Sequence, residues 1–139
     1  MRQTTHLFEI RTAGRGLTEF TDAVGGWVRE AGFREGLLTL HVRHTSASLV
    51  IQENADPEVQ RDLERFFASL VPDGDPRFRH TCEGPDDMPA HVRSALTSTT
   101  LSIPVLDGRP ALGTWQGIYL YEHRARGHRR TIAAHVLGD

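Results

Sequence analysis

The chain has 139 residues, of which 24% are charged, and its formal net charge is −2 with the histidines neutral. This length predicts a single domain, and the charge balance argues against a broad basic surface for nucleic acid. The lone cysteine excludes an internal disulfide, and we find neither a secretion signal nor a run of ~20 apolar residues. We therefore expect a cytoplasmic protein that has no membrane partner.

The first half of the chain alternates between strand and helix patterns. Gln3–Ile10 predicts a strand, and Thr18 predicts the N-cap of an amphipathic helix that Gly32 ends in the left-handed conformation. Leu37–Arg43 alternates apolar and polar residues, as a half-buried strand does. Ser46–Gln52 predicts the next strand because it is rich in apolar and β-branched residues.

A second helix has strong start signals. Asp56 is a favourable N-cap residue and Pro57 a favourable first helical residue. The helix is expected to bury an apolar stripe along one side. That stripe consists of Val59, Leu63, Phe66, Phe67 and Leu70.

The last part of the chain predicts a third helix followed by antiparallel strands. Ala90–Leu96 has a helical pattern, and Asp107-Gly108 predicts a tight hairpin turn after the strand Thr100–Leu106. Two more strands are predicted at Thr114–Glu122 and Thr131–Leu137. Residues 1–139 thus predict one α+β domain, a mostly antiparallel sheet with about three helices on one face.

Titratable side chains are concentrated between His80 and His91. Two prolines and a glycine stiffen and bend this segment, which favours a single shape. Asp86 and Asp87 either cap the helix that follows or bind a ligand, and both interpretations stay open. The histidines can accept protons or bind metal, although their spacing matches no standard zinc motif.

A second polar run surrounds His44. Its hydroxyl groups belong to Thr45, Ser46 and Ser48, which are able to donate hydrogen bonds to phosphate oxygens. Because every basic residue is arginine, an anion would have to be met by Arg, His, backbone N–H groups or a metal. The alternative is a turn in which these hydroxyls bond to nearby backbone.

A third run centres on Trp115 and Gln116, which glycines bracket within a predicted strand. The indole is able to stack on a planar ring, and the amide is able to donate and accept hydrogen bonds at the edge of that ring. Arg124, just beyond the strand, is a candidate anion clamp. The alternative is a core tryptophan beside a strand bulge.

Three runs together resemble the YjbQ-like family, also known as the secondary thiamine-phosphate synthase family. They are HTSASLVIQENADP from His44, EGPDDMPAH from Glu83 and LGTWQGIYLYEHR from Leu112. The resemblance implies an α+β fold, a homotrimer and a weak thiamine-phosphate-forming activity. Relatives often carry cysteine where this chain has Ala55, which argues against a catalytic thiol there.

The resemblance and the residues together predict a reaction that joins hydroxymethylpyrimidine diphosphate to thiazole phosphate and releases pyrophosphate. A divalent metal ion, Mg²⁺ or Zn²⁺, would assist it. The predicted catalytic residues are His44, Asp87 and His91, and the predicted metal ligands are His44, His80 and His91. The predicted substrate-binding residues are Thr45, Ser46, Ser48, Glu83, Asp86, Trp115, Gln116 and Arg124.

Two other functions fit the same residues. A metal ion held by His44, His80 and His91 would activate water and make the protein a hydrolase of a phosphorylated metabolite. Alternatively, a trimer would bind such a metabolite without converting it. In all three hypotheses the partner is a small phosphorylated molecule rather than nucleic acid or membrane.

Overall fold

Two antiparallel β-sheets form the framework, and the computed structural model describes all residues from 1 to 139. The strands are β1 (Arg2–Arg11), β2 (Gly16–Glu19), β3 (Gly36–Val42), β4 (Ala47–Glu53), β5 (Thr100–Leu106), β6 (Arg109–Pro110), β7 (Gln116–Glu122) and β8 (Arg129–Gly138). The large sheet has the order β1-β8-β3-β5-β6, and the small sheet has the order β2-β7-β4. The expected single sheet is therefore two sheets, because alternation predicts which face is buried but not which strands pair.

The hydrophobic core lies between the two sheets. Alternate residues of β3, Leu38, Leu40 and Val42, are buried in it, as the sequence predicts. The first helix, α1 (Thr21–Ala31), adds Val24 and Val28 to the same core. Because α1 and the small sheet cover only the inner face of the large sheet, the opposite face stays open.

The start of α1 differs from the sequence prediction. Thr18 is not an N-cap, because it belongs to β2 and pairs with Leu120. The N-cap position is Phe20, which supplies no side-chain cap. The end of the helix is as predicted, since Gly32 has φ 74° and its N–H bonds to the carbonyl of Arg29.

The second helix, α2 (Pro57–Leu70), covers the outer side of the small sheet. Its predicted start is confirmed, because the Asp56 carboxylate accepts a hydrogen bond from the N–H of Glu58 at 2.9 Å. Its predicted apolar stripe is only partly covered: no residue of α2 is buried, and Phe66 is 61% exposed. Phe67 packs edge-on against the ring of Tyr121, and polar contacts, including the Tyr121 hydroxyl to Glu64 at 2.8 Å, also connect the helix to the sheet.

The third helix, α3 (Asp87–Leu96), begins three residues before its predicted start. It follows the loop 71–86 and packs against β4, where the Ser94 hydroxyl donates to the carbonyl of Ala47 at 3.0 Å. The Asp107-Gly108 hairpin turn is confirmed, with φ angles of 50° and 77°. None of the three helices combines the length and apolarity needed to cross a membrane.

Candidate functional site

Two imidazoles and a carboxylate meet at the start of α3. The Nε2 atoms of His80 and His91 lie 2.7 and 3.1 Å from the same oxygen, Oδ2 of Asp87. The three ligand atoms lie within 4.8 Å of one another. Asp87 is almost fully buried, whereas both histidines are partly exposed. The polar trio therefore has its carboxylate in the protein and its imidazoles toward solvent.

Local structure explains why these three groups converge. Asp87 and His91 are four residues apart on α3, so their side chains lie on the same side of the helix. His80 approaches from the preceding loop, which bends at Gly84 with φ 107°. A residue with a Cβ would be strained at that angle, so glycine allows the bend that places His80 beside α3.

The tautomer of His91 is fixed by the backbone. Its Nδ1 lies 2.9 Å from the carbonyl oxygen of Thr45, and a carbonyl can only accept, so Nδ1 carries the hydrogen. In neutral His91 the lone pair of Nε2 then faces the Asp87 carboxylate. A carboxylate oxygen and an imidazole lone pair are both acceptors, and at 3.1 Å they repel unless a second proton or a cation lies between them.

The guanidinium group of Arg124 contacts both Asp86 and Asp87. Its Nε donates to Asp86 at 3.0 Å, its Nη1 lies 2.9 Å from Oδ1 of Asp87, and its Nη2 donates to the carbonyl of Glu83 at 2.9 Å. Burial acts to raise the pKa of Asp87, but the hydrogen bond from His80 and the charge of Arg124 outweigh it. The pKa of Asp87 is therefore lowered, and its carboxylate is ionised at neutral pH.

Asp86 occupies the N-cap position of α3 without capping it. Its carboxylate accepts instead from Arg124 and from the N–H of Ala125 at 2.9 Å. Burial acts to raise the pKa of Asp86, yet these hydrogen bonds and the Arg124 charge lower it below the ordinary value. Asp86 thus positions Arg124, and the capping interpretation of its side chain is wrong.

His44 is not part of the trio. Its Nε2 accepts a hydrogen bond from the N–H of Thr131 on β8 at 3.1 Å, so that atom is not free to bind a metal. Burial, followed by the positive charge of Arg130, lowers the pKa of His44 and keeps it neutral. The structure therefore groups Asp87, and not the predicted ligand His44, with His80 and His91.

The hydroxyl run after His44 is divided between surface and interior. Thr45 is exposed, and Ser46 Oγ accepts from Arg130 at 3.0 Å. Ser48 is fully buried, where its hydroxyl lies 2.8 Å from Nε2 of His123. Of the three predicted phosphate-binding hydroxyls, only that of Thr45 lies on an exposed residue beside the trio.

Trp115 and Gln116 lie at the far end of the strand that leads to Arg124. Gln116 begins β7 and Glu122 ends it, a span of about 20 Å at strand geometry. Trp115 is 62% exposed, so its interpretation as a core tryptophan is wrong. Gln116 accepts a hydrogen bond from the N–H of Gly113 at 2.8 Å. Within one chain these residues do not join the trio.

The sequence matches one protein family along almost its whole length. The family model for "UPF0047 protein YjbQ-like" matches residues 6–139. The chain belongs to this YjbQ-like family. A UPF0047 protein of Synechocystis is 53% identical over 138 residues, which cover 99% of this chain and 94% of the relative. The UPF0047 protein YjbQ of Escherichia coli is 51% identical over 104 residues, 75% of each chain.

Solved structures of similar proteins have the same fold. A hypothetical protein from Aeropyrum pernix has a TM-score of 0.88 at 30% identity and covers 98% of this chain and 99% of its own. A conserved hypothetical protein from Thermus thermophilus has a TM-score of 0.85 at 33% identity, with 95% and 99% covered. The YjbQ-like fold and the α+β class are thus confirmed.

Two clefts flank the trio of this YjbQ-like chain. One, of about 280 Å³, lies on the His80 side and is walled by residues of the loop 71–86 together with Met88 and Pro89. The other, of about 260 Å³, lies on the His91 side and is lined by His44, Thr45 and Ser94 among others. A small molecule bound at the trio would have room on either side.

A buried polar layer, not predicted from the sequence, lies beneath the site. Arg93 is 1% exposed and donates to Glu64 at 2.8 Å, and its Nε has no partner. Burial, with the charges of Arg93 and Arg15, lowers the pKa of His123 to about 3, so this histidine is neutral. The only signal in the sequence was Arg93 itself, which lies one turn from Pro89 on the buried side of α3.

Proposed function

We propose that His80, Asp87 and His91 bind a divalent metal ion, and that this site acts on the phosphate or diphosphate group of a small metabolite. The observation that carries the proposal is the lone pair of His91 Nε2, which the Thr45 carbonyl directs toward the Asp87 carboxylate. A cation between these two atoms would turn their repulsion into two ligand bonds.

The ligand types favour zinc over magnesium. Imidazole nitrogens suit Zn²⁺, whereas Mg²⁺ prefers oxygen ligands. Tetrahedral zinc separates neighbouring ligand atoms by about 3.3 Å, close to the 2.7 and 3.1 Å that separate the imidazole nitrogens from Asp87 Oδ2. Two histidines and one carboxylate would leave a coordination position open for substrate or water.

Residues around the trio would position the metal ligands and bind the rest of the substrate. A bound metal would polarise phosphate oxygens as a Lewis acid. Arg124 holds Asp87 in place, and because it is already paired with both aspartates it is a positioning residue rather than a free anion clamp. The Thr45 hydroxyl and the two clefts supply donors and space for the rest of the substrate.

Within this class, thiamine-phosphate synthase-type transfer is the first reaction to test. It requires stabilisation of a leaving pyrophosphate, which a metal at the trio would supply. It also requires a platform for the pyrimidine, the role predicted for Trp115 and Gln116. Because these residues lie at the other end of β7, the platform would come from a neighbouring subunit whose Trp115 approaches the trio.

Hydrolysis is the second candidate, and the position of Trp115 favours it. A hydrolase needs only the metal, an activated water and room for a phosphorylated group, all of which a single chain would supply at the trio. No remote aromatic platform is required. The substrate would then be a phosphate ester small enough for the adjoining clefts.

Turnover of metal-loaded protein separates these candidates. We expect release of pyrophosphate from the two thiamine precursors, or of phosphate from an ester, and loss of either in His91→Ala. Undiminished rates in His91→Ala would show that the trio does not take part in the reaction. A phosphorylated metabolite that raises the Tm yet is never converted would favour the binding module instead.

We also propose that the protein is a homotrimer, as the resemblance implies, and that the open face of the large sheet forms its interface. Twelve outward positions on β1, β8, β3 and β5 carry no Asp, Glu or Arg, and charged residues of the same face, Glu9, Arg11 and Arg129, lie together at one end of the β1–β8 pair. The uncharged part of this sheet face suits another copy of itself. These positions are Gln3, Thr5, Leu7, Leu37, Thr39, His41, Thr100, Ser102, Pro104, Ala133, His135 and Leu137.

We further propose that the protein works in the cytoplasm. Its single cysteine, Cys82, is exposed and free. An exposed thiol of this kind persists in a reducing compartment. Cell fractionation with an antibody to the protein tests the location.

A further inference from the structure

A second polar cleft lies at the end of the β1–β8 ribbon and shares no lining residue with the clefts beside the trio. It has a volume of about 340 Å³. No acidic and no apolar side chain lines it. Its lining residues are Arg11, Thr12, Gly127, His128 and Arg129.

The two arginines of this cleft face each other directly. Arg11 pairs with Arg129 in the register of β1 and β8, so their side chains leave the same face of the sheet as neighbours. Like charges placed directly opposite destabilise a sheet. Arg11 forms no salt bridge, and Arg129 has only an exposed one with Glu9 at 3.5 Å. Glu9 therefore offsets part of the charge of Arg129, whereas Arg11 has no acidic partner.

The nearby buried acid does not neutralise the pair. Glu122 accepts from the Thr12 hydroxyl at 2.7 Å, from Arg130 Nε at 2.9 Å and from the N–H of Arg124 at 3.1 Å. Burial acts to raise the pKa of Glu122, but the hydrogen bonds from Arg130 and Thr12 lower it. Its charge is thus matched by buried Arg130, and of the two outer arginines only Arg129 has an acidic partner, Glu9.

The floor of the cleft is held in one shape. Thr12 and His128 exchange hydrogen bonds, the N–H of Thr12 to the His128 carbonyl and the N–H of His128 to the Thr12 hydroxyl, each at 2.9 Å. At Gly127 a Cβ would lie 2.2 Å from the carbonyl oxygen of Thr12, so only glycine lets the chain pass this close. His128 Nδ1 donates to the carbonyl of Arg126 at 2.8 Å, which orients its ring.

We propose that this cleft binds a tetrahedral oxyanion, the phosphate group of a small metabolite, between Arg11 and Arg129. A phosphate there would replace the repulsion between two guanidinium groups with charge-assisted hydrogen bonds to both. A net charge of −2 for the whole chain favours a small anion over a polyanion such as nucleic acid. The site needs no metal and does not depend on the function proposed for the trio.

Titration of the metal-free full-length protein with inorganic phosphate tests the proposal. Amide NMR shifts of Gly127 and His128 are followed at constant ionic strength, with chloride as the balancing anion and acetate as the comparison anion. We expect saturable shifts with phosphate, and about tenfold weaker binding for Arg11→Gln and for Arg129→Gln. Arg61→Gln, an exposed arginine of α2, is the matched control and is expected to bind like the natural chain.

Two further measurements separate this anion site from the trio and from a contact between subunits. Asp87→Asn is expected to leave phosphate binding here unchanged, whatever it does to metal binding, so the two proposals fail independently. Sedimentation of Arg11→Gln shows whether the pair instead contacts an acid of another subunit. Dissociation of the assembly with unaltered phosphate binding, or equal weakening by Arg61→Gln, would overturn the proposal.

Discussion

His91 donates its Nδ1 hydrogen to the backbone carbonyl of Thr45 at 2.9 Å. This bond joins α3 to the segment after β3, across 46 residues of sequence. Since the carbonyl cannot donate, it fixes which ring nitrogen of His91 faces the Asp87 carboxylate. A peptide carbonyl, which no side-chain substitution removes, thus determines the chemistry available at the trio.

The acid stability of the protein depends on the carboxylates around Arg124. The folded-state pKa values of Asp86 and Asp87 are lowered, so their contribution to stability is present above the unfolded-state pKa of about 4. It is lost as the pH falls through the lower folded-state values. The free energy of unfolding, measured in urea, is expected to decrease less between pH 7 and pH 3 in Asp86→Asn than in the natural chain.

The exposed Asp22 supplies the control for this prediction. Asp22→Asn removes a carboxylate that forms no salt bridge from the first turn of α1. It is expected to keep the natural pH dependence. Equal slopes for Asp86→Asn and the natural chain would show that Arg124 does not stabilise the folded state through Asp86.

Replacing either of two glutamates on α2 by glutamine is expected to lower the free energy of unfolding by different amounts. Glu64→Gln leaves the buried Arg93 guanidinium without its charge partner, at a cost of about 3 kcal/mol in the free energy of unfolding. Glu58→Gln breaks an exposed pair with Arg61 and costs less than about 1 kcal/mol. Chemical denaturation measures both, and similar costs would contradict the importance of burial at Arg93.

Alanine at two glycines is expected to shift stability in opposite directions. Gly25 lies within α1, and a Cβ there meets nothing within 4 Å, so Gly25→Ala gains about 1 kcal/mol from helix propensity. At Gly36 a Cβ would lie 2.3 Å from the carbonyl oxygen of Leu137 and force β3 from β8. Gly36→Ala is expected to cost about 2 kcal/mol or more. Thermal unfolding measures both effects: we expect a higher Tm for Gly25→Ala and a lower Tm for Gly36→Ala.

A charge on the open face of the large sheet is expected to dissociate the proposed trimer. Ala133 lies near the centre of that face, between Leu7 and His41 in the strand register. Ala133→Glu would bury an unpaired carboxylate in the interface, which costs several kcal/mol. Sedimentation velocity of Ala133→Glu and of Ala68→Glu, on exposed α2, checks this. A trimer that survives Ala133→Glu would place the interface elsewhere.

Local signals in the sequence predict the elements well, but not their arrangement. The cap at Asp56, the left-handed end at Gly32 and the strand Thr100–Leu106 depend on a few neighbouring residues, and the structure has all three. Thr18 resembles a cap because its true partner, Leu120, lies about a hundred residues away in sequence. The division into two sheets depends on such distant pairings and leaves no local pattern.

The candidate site is predictable where it depends on one helix and one loop. Asp87 and His91 lie on one side of α3 by helix geometry, and the bend at Gly84 brings His80 back to them. His44 could not be placed, because its ring orientation depends on the N–H of Thr131 at the edge of β8. The catalytic and substrate-binding roles proposed for these residues stay predictions.

Calorimetric titration of metal-free protein with zinc is the sharpest test of the metal site proposed at His80, Asp87 and His91. We expect one ion per chain, with binding lost in Asp87→Asn and in His91→Ala and kept in Asp107→Asn, a change in the β5–β6 turn. Thermal unfolding of the metal-free variants confirms that each is folded. Zinc binding by folded Asp87→Asn or His91→Ala that equals that of the natural chain would contradict the claim.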